Sequence, residues 1–378
     1  MMEEYSVKTH ESKKTSLAIF TCSLFFLIIS IGVIRITGSI NFIGTCIKLL
    51  LPVYSEEVDI RNISFIANKG INLSLSGNEN KNDNKSAVKI NSLAYTPDDI
   101  QKTMNKAAET FDNSEKEGKI VSQTYGKASA TDCVGNIYIK NTTGRSPDFS
   151  SLLKEGTTLT KAEDGEISVL IFHTHTTETY QMSDQDFYLK TFSPRSENES
   201  ENMIRVGEEI VSQLKKAGIG VIHDKEIYDR KYSGAYERSG KAIDRYLEKY
   251  PSIQVVLDIH RDAIQTSETT KVKPVTTING KKAAQIMIIS GCEGDNITDF
   301  PNWQDNLKFA LKLQKTAEEM YPTLMRPLFF CNRKYNMYKT SNSLLLEMGS
   351  DGNTLDEAAY SGRLIGDVLA EMLTEELY

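Results

Sequence analysis

From about residue 166 to the C-terminus, short apolar runs that read as buried strands alternate with amphipathic stretches that read as helices. Val169-Leu170-Ile171-Phe172 is continuous in apolar side chains, the pattern of a strand buried on both faces, and it stops in His173-Thr174-His175-Thr176-Thr177-Glu178. The run 219–222 stops at His223, the run 253–259 at His260, and Leu344-Leu345-Leu346 at Glu347. Helical spacing is expected over 202–217, 235–250 and 303–321, closed by Gly218, Pro251 and Pro322, and a capping box, Thr354-x-x-Glu357, opens a last helix. Such alternation predicts an α/β domain whose mostly parallel sheet is covered by helices on both faces. In open sheets of that kind, ligands bind just beyond the carboxyl ends of the strands, where these histidines and this glutamate fall.

Composition narrows the chemistry. The chain of 378 residues holds five histidines, and four of them end apolar runs. Its net charge is -7, with no basic stripe interleaved with aromatics, so no nucleic-acid partner is expected. Five cysteines are scattered singly, which argues against a thiolate zinc site and against a disulfide framework.

Residues 15–34 are uncharged and mostly apolar, long enough to span a hydrocarbon core. Lys13 and Lys14 precede them, so the expected arrangement is a cytoplasmic tail (1–14), a single uncleaved transmembrane anchor (15–34) and an extracytoplasmic remainder. A membrane-proximal stalk and flexible linker follow over 35–94, including the polar stretch GNENKNDNKS at 77–86. A small accessory region is expected over 95–160 and a catalytic zinc hydrolase domain over 161–378.

His175-x-x-Glu178 with a distant histidine, His260, is a mononuclear zinc spacing that leaves a fourth position for water. A zinc hydrolase also needs a proton shuttle, and Glu347 at the end of a hydrophobic strand fills that place. HxxE alone is a weak signal; its weight comes from concurrence with two further strand ends. Glu199 and Glu201, just ahead of the 202–217 helix, are rival carboxylate ligands. His173 is expected in a supporting role, and His223 lining the cleft to position substrate or stabilise charge. Arg261 is a candidate anchor for a substrate carboxylate, and Asp262 a candidate to orient a ligand imidazole.

HTHTTETY (173–180), RVGEEI (205–210), GIGVIHDKEIYD (218–229), Ala235-Tyr236-x-x-Ser239, LDIHRDA (257–263) and LLLEMGSDGNTLDEA (344–358) together resemble the stage II sporulation protein P family over roughly 135–378. The resemblance implies a membrane-anchored peptidoglycan hydrolase, similar to zinc-dependent N-acetylmuramoyl-L-alanine amidases, with amidase and endopeptidase activity. It also implies work beside stage II sporulation proteins D and M in septal thinning and engulfment, in the septal intermembrane space. By motif position it assigns His175 and His260 to Zn2+ and Glu347 to catalysis. For the second ligand the amidase pattern points to Glu199 or Glu201, and carboxypeptidase-type spacing to Glu178, the residue adopted here. The alternatives are a zinc carboxypeptidase-like peptidase acting on stem peptides and a non-catalytic septal scaffold that binds peptidoglycan.

Overall fold

A computed structural model describes residues 92–294 and 296–378. Its central element is an eight-stranded sheet in the order β2 (Asp132–Val134), β3 (Ile137–Asn141), β12 (Leu328–Cys331), β11 (Ile286–Gly291), β13 (Ser343–Ser350), β7 (Val255–Asp262), β4 (Ile167–Phe172) and β6 (Gly220–His223). Strands β13, β7, β4 and β6 run parallel, whereas β11 is antiparallel to β13, and β12 and β3 follow the direction of β11. The sheet is therefore mixed, a correction to the mostly parallel one expected. The reversal arises because β11 is reached by way of a hairpin-bearing excursion on a second sheet, so no single crossover helix sets its direction.

Side-chain alternation along each strand divides the sheet into two unlike faces. One face carries Val169, Ile171, Val255, Leu257, Ile259, Ile286, Ile288, Leu344 and Leu346. The helices α3 (Met203–Lys216), α5 (Trp303–Met320) and α6 (Leu355–Leu377) bury their apolar stripes in the same core. Asn202 caps α3 by accepting from Ile204 N–H, and the capping box expected at Thr354 and Glu357 is formed. The other face is covered by α4 (Ala235–Lys249) over Leu170, Phe172 and Val256. Beyond β7 it carries Leu345, Met287 and Ile289, packed against loop residues such as Phe300 and Met337. That second face lacks a full helical layer among the described residues, and Asp258, His260 and Glu347 share it.

The region 95–160 is woven into the sheets. Its helices α1 (Asp98–Glu109) and α2 (Phe149–Glu155) pack against α6 and α5, β3 pairs with β12, and β1 (Lys116–Gln123) joins the second sheet. That sheet has the order β10 (Lys281–Ala284), β9 (Thr270–Ile278), β1, β5 (Phe187–Leu189), with β8 (Gln265–Ser267) also on β9. Asn279 and Gly280 turn the β9–β10 hairpin with φ of 50° and 78°, the left-handed pair that a tight hairpin requires. No helix among the described residues is long and apolar enough to cross a membrane. The expected anchor at 15–34 and most of the stalk lie outside the described residues.

Candidate metal centre

Three residues converge at the carboxyl ends of β4 and β7. His175 and Glu178 lie on the loop that leaves β4, where Glu178 N–H donates to the His175 carbonyl at 3.2 Å. His260 projects from β7 on the open face. One ligand atom from each of the three lies within 4.8 Å of the others, and all three residues are at most slightly exposed. His175 Nδ1 is 3.4 Å from Glu178 Oε1, and His260 Nδ1 is 3.8 Å from Glu178 Oε2. Nitrogen and oxygen ligands about 2 Å from one tetrahedral ion stand roughly 3.3 Å apart, so the three side chains need only draw together to share one zinc. The donor set fits as well, two imidazoles and one carboxylate. Burial alone would raise the Glu178 carboxyl, yet the His175 hydrogen bond and the charges of Arg261 and His260 hold it at about 2. It is an anion at neutral pH.

The carboxylate that supports the centre is Asp258. Its Oδ1 lies 2.7 Å from His260 Nε2, which leaves Nδ1 facing the cluster. The same carboxylate accepts from Thr174 N–H at 2.8 Å and from Thr174 Oγ1 at 2.7 Å, so it ties the β4 loop to β7. Thr174 Oγ1 lies 2.8 Å from Ser239 Oγ, which accepts from Asn336 Nδ2 at 2.9 Å. Burial would lower the His260 imidazole, but Asp258 and the two nearby glutamates raise it to about 9. Sequence reasoning missed Asp258, although a carboxylate two residues before His260 inside an apolar strand must share its face. Asp262, expected in that role, instead accepts from Arg326 Nη1 at 3.0 Å. Tyrosines wall the cluster: Tyr236 stacks parallel to His260 at 6.2 Å, and the exposed Tyr232 lies 4.9 Å from His175.

Glu347 stands on β13 in register with His260 on β7. Its Oε2 is buried with no hydrogen-bond partner among the described residues. Burial first, then the charge of Asp262, pushes its carboxyl up to about 8. A carboxyl so placed holds or gives up a proton near neutrality. It also faces a cavity of about 360 Å³.

The remaining candidates fall elsewhere. Glu199 reaches Lys225 at 3.9 Å, and Glu201 accepts from Asn198 Nδ2 at 2.9 Å, so Glu178 is the carboxylate at the cluster. Arg261, expected to meet a substrate carboxylate, is buried: Nε donates to the Thr179 carbonyl at 2.7 Å and Nη2 to the Pro194 carbonyl at 2.8 Å. Loop carbonyls need those donors more than solvent does, so the guanidinium clasps the loops around Glu178. His223, expected in the cleft, lies against the buried His173, Nε2 to Nε2, at 2.9 Å. His173 Nδ1 is 3.0 Å from the Ile259 carbonyl and must donate to it, so His173 Nε2 accepts and His223 donates. Burial lowers His173 to about 4 and His223 to about 2. The pair stays neutral and structural, and His223 carries no charge with which to stabilise an anion.

Residues 55–370 match the family described as stage II sporulation protein P (SpoIIP). The Stage II sporulation protein P of Bacillus subtilis (strain 168) is 29% identical over 216 residues, which cover 54% of this chain and 50% of that protein. The match thus spans half the length of the curated relative. Among solved structures, N-acetylmuramoyl-L-alanine amidase AmiC2 of Nostoc punctiforme is 12% identical with a TM-score of 0.34, covering 56% of this chain and 98% of that one. The N-acetylmuramoyl-L-alanine amidase from Clostridium difficile 630 is 16% identical with a TM-score of 0.33, covering 56% and 95%. Likeness at that level carries no functional argument.

Proposed function

The chain belongs to the stage II sporulation protein P family, and from that premise we propose that it is a zinc-dependent peptidoglycan hydrolase. Its reaction is that of an N-acetylmuramoyl-L-alanine amidase, with endopeptidase activity on the same material. It is held in the cell membrane by residues 15–34, with its hydrolase domain in the septal intermembrane space. There it acts beside stage II sporulation proteins D and M during engulfment. The observation that carries the proposal is the meeting of His175, Glu178 and His260 beside Glu347, whose buried Oε2 has no hydrogen-bond partner among the described residues.

His175, Glu178 and His260 would hold the zinc, which would polarise the scissile carbonyl and acidify a water. Glu347 takes a proton from the attacking water and delivers it to the leaving nitrogen, a transfer suited to a carboxyl that titrates near neutrality. Asp258 keeps His260 Nδ1 turned towards the cluster, and Tyr232 and Tyr236 present ring faces beside it. An aromatic wall of this kind suits a sugar ring on one side of the scissile bond. The carboxypeptidase alternative loses its anchor, because Arg261 is spent on loop carbonyls.

Glu347→Gln is expected to leave one zinc per chain and to lower cleavage of purified sacculi about 10²- to 10⁴-fold. Metal analysis and release of muropeptides read the two effects, and retained cleavage would overturn the assignment. Mass spectrometry of the products separates the activities: free glycan strands mark an amidase, shortened stems a peptidase. A protein without stoichiometric zinc would favour the non-catalytic scaffold.

A further inference from the structure

Glu347 opens onto a trough that crosses the sheet face covered by loops, away from the metal cluster. Across the strands its floor is set by register: Glu347 is opposite Met287, Ile289 opposite Phe329, and Phe329 opposite Lys140. All of these side chains leave the same face. Three strand spacings and one two-residue step place Lys140 about 16 Å from Glu347, the span of roughly five extended residues. The cavity there, of about 360 Å³, is lined by Glu347, Phe329, Lys140, Arg326 and Arg333 among others. A second cavity, of about 390 Å³, continues beyond Phe329 and Arg333 towards Thr142.

The charges in the trough are unevenly matched. Arg326 is taken by Asp262 at 3.0 Å. Lys140 lies over the Phe329 ring at 5.7 Å, and Arg333 donates to the Asn332 carbonyl at 3.4 Å and to the Tyr335 hydroxyl. Neither has a carboxylate partner among the described residues, although the chain as a whole carries an excess of acid. Two cations without a carboxylate partner among the described residues, in the same trough as Glu347, favour an anionic occupant.

We propose that this trough is the subsite for the peptide side of the substrate, and that Lys140 and Arg333 read a free carboxylate on that peptide. The inference rests on the hydrolase reading, and it adds what that reading leaves open, the chemical class of peptide accepted. A segment of four or five residues, with its first amide at Glu347, reaches both cations in extended form.

The test uses the full chain and two muramyl tetrapeptides, one with free carboxylates and one with its side carboxylates amidated. Cleavage rates and equilibrium binding are measured for both peptides, with wild type and with the Lys140→Gln/Arg333→Gln double variant. Both side chains are exposed, so the fold is expected to tolerate the change. Wild type is expected to favour the free-carboxylate peptide roughly ten- to hundredfold. The double variant should use the two peptides alike, with the loss appearing in KM. Equal use by wild type, or a preference kept by the double variant, would sink the proposal. Should wild type cleave neither peptide, the hydrolase reading fails, and binding alone decides the subsite. Tighter binding of the free-carboxylate peptide that depends on Lys140 and Arg333 supports it; indifferent binding overturns it.

Discussion

Asp258 shows how a single residue decides what its neighbours can do. It is buried on a strand otherwise built of apolar side chains, and it touches His260 and Thr174 at once. One carboxylate therefore sets the orientation of an imidazole and the position of the loop that carries His175 and Glu178. Asp258→Asn keeps the shape and removes the charge. It is expected to weaken zinc binding about 10- to 100-fold, as loss of partners behind metal-bound histidines does elsewhere, and to lower cleavage with it. Competition with a chelator of known affinity measures the effect, and an unchanged zinc affinity would show that the contact is incidental. His175, His260 and Glu347 were legible from sequence because each ends, or closely follows, an apolar run. The choice of Glu178 over Glu199 and Glu201 was not, since separation along the chain says nothing about which loop folds back over the strand ends.

Among the elements, α3 and the ends of β4 and β6 form a unit around the His173–His223 pair. A Cβ at Gly207 of α3 would stand 2.7 Å from His223 Nε2 and 2.8 Å from His173 Nε2, so only glycine lets the helix close on the two rings. The pair has a pH signature. Its imidazoles, at about 4 and about 2, lie below the usual 6.5, so the unfolded chain binds protons that the folded pair refuses. Stability from the pair is full above about 6.5 and falls as the pH drops towards 4, by up to about 1.4 kcal/mol per pH unit for each ring. Thermal midpoints at pH 7, 6 and 5 are expected to fall more steeply for wild type than for His223→Gln. Parallel curves would mean that the pair is protonated in the fold. Sequence patterning placed both histidines at strand ends but could not show that they would meet each other and leave the cleft.

At the scale of the whole molecule, ion pairs bind the second sheet to the turn and helix that follow β13. Lys273 of β9, 3% exposed, reaches Glu357 at the start of α6 at 2.9 Å and Asp184 at 2.7 Å, while Lys271 pairs with Asp351. Glu357 also receives Asn353 Nδ2 and Thr354 N–H, so the clasp grips the turn that follows Glu347. Lys273→Ala leaves that buried carboxylate without its cation and is expected to cost about 3 kcal/mol, read from urea unfolding. A cost under about 0.5 kcal/mol would place the clasp at the screened surface.

The sequence by itself determined the α/β alternation, the helix stops and caps, the family and three strand-end residues of the candidate site. These depend on local periodicity, terminal backbone hydrogen bonds and side-chain type, which neighbours along the chain decide. Only the tertiary structure decided the reversed half of the sheet, the second sheet with its buried lysines, the carboxylate at the cluster and the fate of Arg261. Each of these turns on pairing between residues distant in sequence. A lysine beside Glu357 or an arginine beside loop carbonyls is buried because its partner is there, and no pattern along one strand reveals the partner.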